Sequence, residues 1–255
     1  MKDNPFESVA IHPKANEAIK GGHFQLDYFR NFRFLFESSN GFVNLLLCSV
    51  IQLIPVIGPI ILMGYQYEIS ESLVRQRGGV YPDFTFDRFT NYLVRGVWPF
   101  LVALIVGLTT IPIFFLFWFA FMFAMTAVNF NASPAIAIAI PVGVFFFWIG
   151  FILFANLLLI PFSSRAGLGQ DFGKSFDFAF ARSFIGLVWK ELLLGILIIA
   201  LCSPFIAFAG ILLLIVGYFP AIALISMAVG FHHHQLYCLY LSRGGTPIPF
   251  KPLEN

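Results

Sequence analysis

His232-His233-His234 is the densest run of reactive side chains in the sequence, and Cys238 follows four residues after its last member. Imidazole and thiolate ligate metals, and zinc helices set two ligands at i and i+4 on one face. His234 and Cys238 have that spacing and form the candidate metal pair. Three consecutive histidines fan over about 200° of a helix, so one ion cannot take all three. No Asp, Glu or third ligand lies near them in sequence. The expectation is therefore no metal and no cofactor, with the run touching water, lipid headgroups or neighbouring polar side chains. Glu68 is the other candidate. Aligning residues 64–79 with 230–245 pairs it with His234. A Glu68–His234 contact would join a carboxylate to a group that titrates near neutrality, which is the chemistry of a pH switch. The alternative is a carboxylate at a membrane edge, reaching for water.

Other chemistry is sparse. There is no phosphate loop, nucleotide-binding glycine fingerprint, nucleophile elbow or zinc-protease motif, so no catalytic residue is assigned and the expectation is that the protein is not an enzyme. Cys48, Cys202 and Cys238 are odd in number and lack CxxC spacing, which argues against a disulfide framework. Asn44, Gln52, Thr109, Thr110, Thr126, Asn156, Ser203 and Ser226 sit within apolar stretches, where isolated polar side chains serve as glue between helices.

The elements that must carry these residues follow from composition. The chain has 255 residues, 59% of them hydrophobic and 11% charged, with 34 Phe. A soluble domain is roughly 45–50% apolar and about 25% charged. So few charges cannot cover a water-soluble globule, nor do they build the basic surface of a nucleic-acid binder. The stretches 42–67, 96–164 and 192–242 carry no charge if histidine is neutral. A helix crosses ~30 Å of hydrocarbon with about 20 apolar residues. The 96–164 stretch breaks at Asn129–Pro134 into helices near 97–128 and 135–162, the first kinked at Pro112 or protruding from the bilayer. The 192–242 stretch breaks at Gly217–Pro220 into helices near 190–216 and 220–241. In 42–67, Pro55 and Pro59 flank Gly58 and favour a hairpin of short helices near 40–54 and 57–75. A hairpin also places all fifteen Lys and Arg on one side, as the positive-inside rule prefers. The fold class is all-α: a polytopic helical membrane protein of about six membrane segments, the first pair a short proline-broken hairpin, with both termini cytoplasmic. Residues 1–41 contain no apolar core for a cleavable signal, so the first apolar segment is expected to direct membrane entry.

Two aromatic ladders run at spacing four: Phe24, Tyr28, Phe32 and Phe36, then Phe172, Phe176, Phe180 and Phe184. Spacing four lines one face of a helix and suits a helix lying in the headgroup layer. Residues 83–96, with Phe86, Phe89, Tyr92 and Leu93 against Asp83, Asp87, Arg88 and Arg95, read the same way. The alternative is that these helices extend the spans and pack on one another. Each ladder precedes a hydrophobic hairpin and a glycine–aromatic pair, Gly64-Tyr65 or Gly230-Phe231. Arg77-Gly78-Gly79 matches Arg243-Gly244-Gly245. Two readings stand: an internal duplication of 23–79 and 171–245 around a central hairpin 97–162, or chance matches made cheap by abundant Phe. The domain organisation is a tail over 1–22, one helical membrane domain over 23–245 and a second tail over 246–255.

The runs Ile54-Pro55-Val56-Ile57-Gly58-Pro59, Gly64-Tyr65-Gln66-Tyr67-Glu68, Tyr81-Pro82-Asp83-Phe84 and Tyr92-Leu93-Val94-Arg95-Gly96-Val97-Trp98-Pro99-Phe100 resemble a prokaryotic family of polytopic membrane proteins known as domain of unknown function 4013. The resemblance is clearest over roughly 30–105, and it leaves out the histidine run and Arg243-Gly244-Gly245. It implies a helical fold in a prokaryotic plasma (inner) membrane and carries no activity, cofactor or site residue. The leading expectation is a non-enzymatic protein that organises lipid or a membrane partner complex through cytoplasmic interfacial helices. The alternatives are a permease or channel for a small or lipidic solute, and a metal-dependent intramembrane enzyme using the histidine run. Expected partners are membrane lipids and a membrane protein or second copy, with no nucleic acid.

Overall fold

The computed structural model describes residues 24–75, 82–127, 134–213 and 217–251. Seven α-helices follow in order among them: α1 Arg30–Arg33, α2 Gly41–Ile51, α3 Ile57–Val74, α4 Phe89–Ala127, α5 Pro134–Gly169, α6 Phe178–Leu212 and α7 Tyr218–Ser242. Single 3-10 turns lie at Phe34–Glu37 and Phe86–Arg88, and no strand occurs among the described residues. The all-α reading holds. Three helices, at α4, α5 and α6, are long and apolar enough to cross a membrane, or up to four spans if the pair Arg30–Glu37 and Gly41–Ile51, bent by 111°, counts as one. α7 has 25 residues but carries His232–Gln235 in its second half, which dilutes its apolar character.

The proline-rich stretch does break the chain. α2 ends at Ile51 and α3 starts at Ile57. Between them Val56 has φ +65 and ψ −53, and the Ile57 N–H donates to the Pro55 carbonyl at 2.7 Å. This is a γ-turn of the rare, strained kind, here on a β-branched residue.

α3 and α4 run antiparallel at unusually short range. A Cβ on Gly64 would lie 1.8 Å from the Tyr92 carbonyl oxygen, and one on Gly96 would lie 1.8 Å from that of Ile60. Glycine is required at both positions because the backbones themselves touch. Tyr65, Phe84 and Tyr92 then interlock as a buried aromatic triad, with centroids 5.1–5.5 Å apart. Beyond α3, the helices α5, α6 and α7 complete a ring. α7 touches most of the others, with Met227 and Phe231 facing α1–α3 and Leu236–Tyr240 facing α6. The distal parts of α4, α5 and α6 pack little: Phe119, Phe123, Phe146, Phe205 and Phe208 are largely exposed.

Two readings need correction. Neither aromatic ladder lies on one helix. Phe24 and Tyr28 precede α1, and the chain turns at Ser38–Asn40 just past Phe36; Phe172 and Phe176 lie in the loop before α6, whereas Phe180 and Phe184 are in it. An acidic N-cap explains the second break, since the Asp177 carboxylate accepts from the Phe180 N–H at 3.0 Å. Residues 83–96 make no separate interfacial helix either, because the turn at 86–88 leads straight into α4. There Tyr92 is fully buried, so the aromatics extend a long helix and pack.

The polar residues within the apolar stretches also behave differently from the expectation. Thr109, Thr110, Thr126, Asn156 and Ser203 donate to carbonyls three or four residues back on their own helices. Ser226 does link helices, because Gln66 donates to its carbonyl at 3.0 Å. Asn44 ties α2 to the segment before α4 through Asp83 and Phe84. The expected turn at 129–133, the Arg77-Gly78-Gly79 motif and the tail over 1–22 lie outside the described residues.

Candidate functional site

The described parts of the charge-bearing segments that flank the uncharged stretches, 24–41, 68–75 with 82–95, 165–191 and 243–251, meet in space. Asn40 and Asn44 donate to Asp83, Arg95 faces Gln170, Glu191 pairs with Arg243, and Arg75 donates to the Lys251 carbonyl at 3.0 Å. One end of the bundle therefore collects charge, while the distal halves of α4–α6 expose leucine and phenylalanine.

The centre of this end is Glu71 on α3. Glu71 is 5% exposed, and its carboxylate is clasped from two sides. Arg75, one turn later, reaches it at 2.7 Å, and Arg95 of α4 pairs with its other oxygen. Burying a carboxylate is costly, and two guanidiniums offset the cost. Each arginine carries the network outward. Arg95 donates to the Gln170 amide oxygen at 2.7 Å, with the amide oriented so that its oxygen faces the guanidinium. Gln170 terminates α5 in the left-handed region, φ +50, and this turns its side chain back toward α4. Arg75 stacks over Phe250 at 5.0 Å.

The C-terminal segment, expected to be a tail, folds back onto the bundle over 246–251. The Tyr240 hydroxyl accepts from the Thr246 N–H at 3.0 Å, and the Tyr237 hydroxyl accepts from the Ile248 N–H at 2.8 Å. Ile248 is buried in the same cluster as Phe184 and Leu236.

Between this segment, the end of α5 and the loop before α6 lies an open groove of about 550 Å³. Trp98, Phe172 and Phe250 supply aromatic walls, and Arg165, Lys174 and Lys251 supply cations. Arg165 is held by Asp177 at 2.9 Å, and it donates to the Lys174 carbonyl at 2.7 Å. Lys174 pairs with Asp171 at 3.1 Å. That ammonium, helped by backbone N–H groups of Lys174 and Gly173, holds the Asp171 carboxyl below the usual carboxylate range.

None of the candidate site residues Glu68, His232, His233, His234 and Cys238 lines this groove, although Phe172 of the second aromatic ladder does. Glu68 pairs with Arg88, which also lies over the Tyr92 ring at 5.9 Å. The His234 Nε2 meets the Cys238 Sγ at 3.6 Å, so the i, i+4 spacing does bring them together. Among the described residues no third His, Cys, Asp or Glu joins them to make a metal-binding group. His232 is buried against α6, where a Cβ on Gly195 would lie 2.0 Å from its ring. The groove residues carried only weak signals in sequence. Trp98 stands at the start of a span, Arg165 is the first charge after a long apolar stretch, and Pro247 and Pro249 stiffen the segment before Lys251.

Residues 47–229 match the family described as protein of unknown function, DUF4013. That stretch includes Glu71, Arg95, Trp98, Arg165 and Lys174, and stops short of the histidine run and the C-terminal wall of the groove. No curated protein and no solved structure matches the chain.

Proposed function

The chain belongs to the DUF4013 family, whose description names no activity, and from that premise we propose a multi-pass, non-enzymatic membrane protein that organises lipid at the charged end of its helix bundle. The observation that carries this reading is the groove. It opens where α4 passes from Arg95, its last charge, to Trp98 and the uncharged stretch beyond. A bilayer changes from headgroup to hydrocarbon over the same step, and tryptophan favours that boundary. Exposed Leu116, Phe119, Phe123 and Phe146 on α4 and α5 fit contact with acyl chains.

In this reading α2–α3, α4–α5 and α6–α7 form three hairpins of six segments. Both termini and all the Lys and Arg then face the cytoplasm of a prokaryotic cell, as the positive-inside rule favours. Lipid contact falls to helix ends and the 170–177 loop rather than to separate interfacial helices. The test is reconstitution of the full chain into mixed-lipid nanodiscs, followed by mass spectrometry of the lipids retained through detergent exchange. Enrichment of one lipid class over the bulk mixture supports the reading; retained lipid of bulk composition overturns it.

A further inference from the structure

Resting on that lipid reading, we propose that the groove binds the phosphate of an anionic phospholipid, whose acyl chain follows the seam between α4 and α5. Arg165, Lys174 and Lys251 line the groove, and Arg75 and Arg95 contact its wall at Phe250 and Gln170. Asp177 pairs with Arg165 and Asp171 with Lys174, but Glu71 alone is shared by Arg75 and Arg95, so cations outnumber carboxylates around the groove even before Lys251 is counted. The excess of positive charge selects an anion, and the phosphate of an anionic lipid is the anion that a membrane presents at this depth. Arg165 is the fixed member, braced by Asp177 and lying over Phe180 at 5.2 Å. Lys174 is the adjustable member. Its side chain is 72% exposed, and its pair with Asp171 is a surface contact that a phosphate can displace at little cost. Lys251 is positioned through its backbone, because Arg75 holds its carbonyl.

A second opening on the same seam argues for a lipid rather than a soluble anion. Thr110, Ile113 and Phe117 of α4, with Phe147, Phe151 and Phe154 of α5, line an apolar cleft of about 390 Å³. Thr110 lies twelve residues beyond Trp98, about 18 Å along the helix. Polar groove and apolar cleft are thus set apart along one helix pair, as the headgroup and chain of one molecule are.

The experiment uses the full chain in phosphatidylcholine nanodiscs doped with phosphatidylglycerol, and reads the anionic lipid retained. The double variant K174Q/K251Q is expected to weaken retention roughly 25-fold, about fivefold per lysine. The double variant R182Q/K190Q removes two exposed cations of α6 outside the groove and is expected to change it less than about twofold. Equal losses in the two variants would mean general surface charge and overturn the site. Gly150→Leu has space for its side chain, since nothing lies within 4 Å of a Cβ there. It should fill the cleft and abolish any preference for long over short acyl chains; a preference that survives overturns the chain's path. Inorganic phosphate serves as the soluble probe. Displacement of the lipid by phosphate as effectively as by short-chain phosphatidylglycerol would overturn a lipid ligand. Wild type retaining lipid of bulk composition would sink the broader reading, whereas enrichment of the zwitterionic lipid, or anionic enrichment indifferent to Lys174 and Lys251, would sink the groove alone.

Discussion

At the scale of single residues, the structure distinguishes ionic contacts that matter from those that do not. Glu71 is buried between Arg75 and Arg95, and loss of its charge would leave two guanidiniums without a counter-ion. Glu71→Gln is expected to cost about 3–5 kcal/mol. The pair Arg30–Glu37 has similar chemistry, but its side chains are 45% and 34% exposed. Water screens it, and Glu37→Gln is expected to cost less than about 1 kcal/mol. Unfolding of both variants in detergent micelles, followed by circular dichroism, checks the difference. Equal losses would mean that Glu71 is not the hub of the charged end. Spacing identified the contact of His234 with Cys238 correctly, because i, i+4 neighbours are set by helix geometry alone. The pairing of Glu68 was a different matter. Register with a supposed repeat put it beside His234, and the structure gives it Arg88 from the start of α4. Residues 68 and 88 are twenty positions apart in sequence, and no local pattern reveals a contact across that separation.

At the scale of elements, the contact of α3 with α4 depends on two absent side chains. Gly64→Ala or Gly96→Ala puts a methyl group inside a carbonyl of the facing helix. Each should cost about 3 kcal/mol, the upper end for overpacking, because backbone cannot move aside as a side chain can. Gly186→Ala on α6 meets nothing within 4 Å and is the control. Higher helix propensity should stabilise it by up to about 1 kcal/mol. Thermal melts of the three variants decide the matter, and a neutral Gly64→Ala would mean that α3 and α4 are farther apart. The hairpin tip makes the opposite prediction. Val56 occupies a conformation that suits glycine, so Val56→Gly should stabilise the protein by about 1 kcal/mol in the same assay. Pro55, Gly58 and Pro59 showed that the chain must break here. The aromatic ladders do not mark single helices, for an identifiable reason. Spacing four is the same pattern whether a helix continues or is interrupted, and Asp177 ended the second ladder by capping α6 inside it.

At the scale of the whole molecule, charge is sorted to one end and apolar surface to the other. If the six-segment reading is right, tags on the N- and C-termini of the full chain are both protected from a membrane-impermeant label in intact cells. Labelling of the N-terminal tag alone would mean that α2 and α3 together cross only once. Sequence by itself determined that the chain is helical, that it has uncharged stretches long enough to span a bilayer, and that the 42–67 stretch breaks at its prolines. Composition, periodicity, proline and glycine act over a few residues, so these properties can be read from neighbours along the chain. Tertiary structure alone decided which charges pair, how closely α3 and α4 approach, and that residues near 98, 165, 172 and 250 surround one groove. Those features depend on contacts between segments more than 150 positions apart, and a contact at that separation is chosen by the packing of the whole bundle.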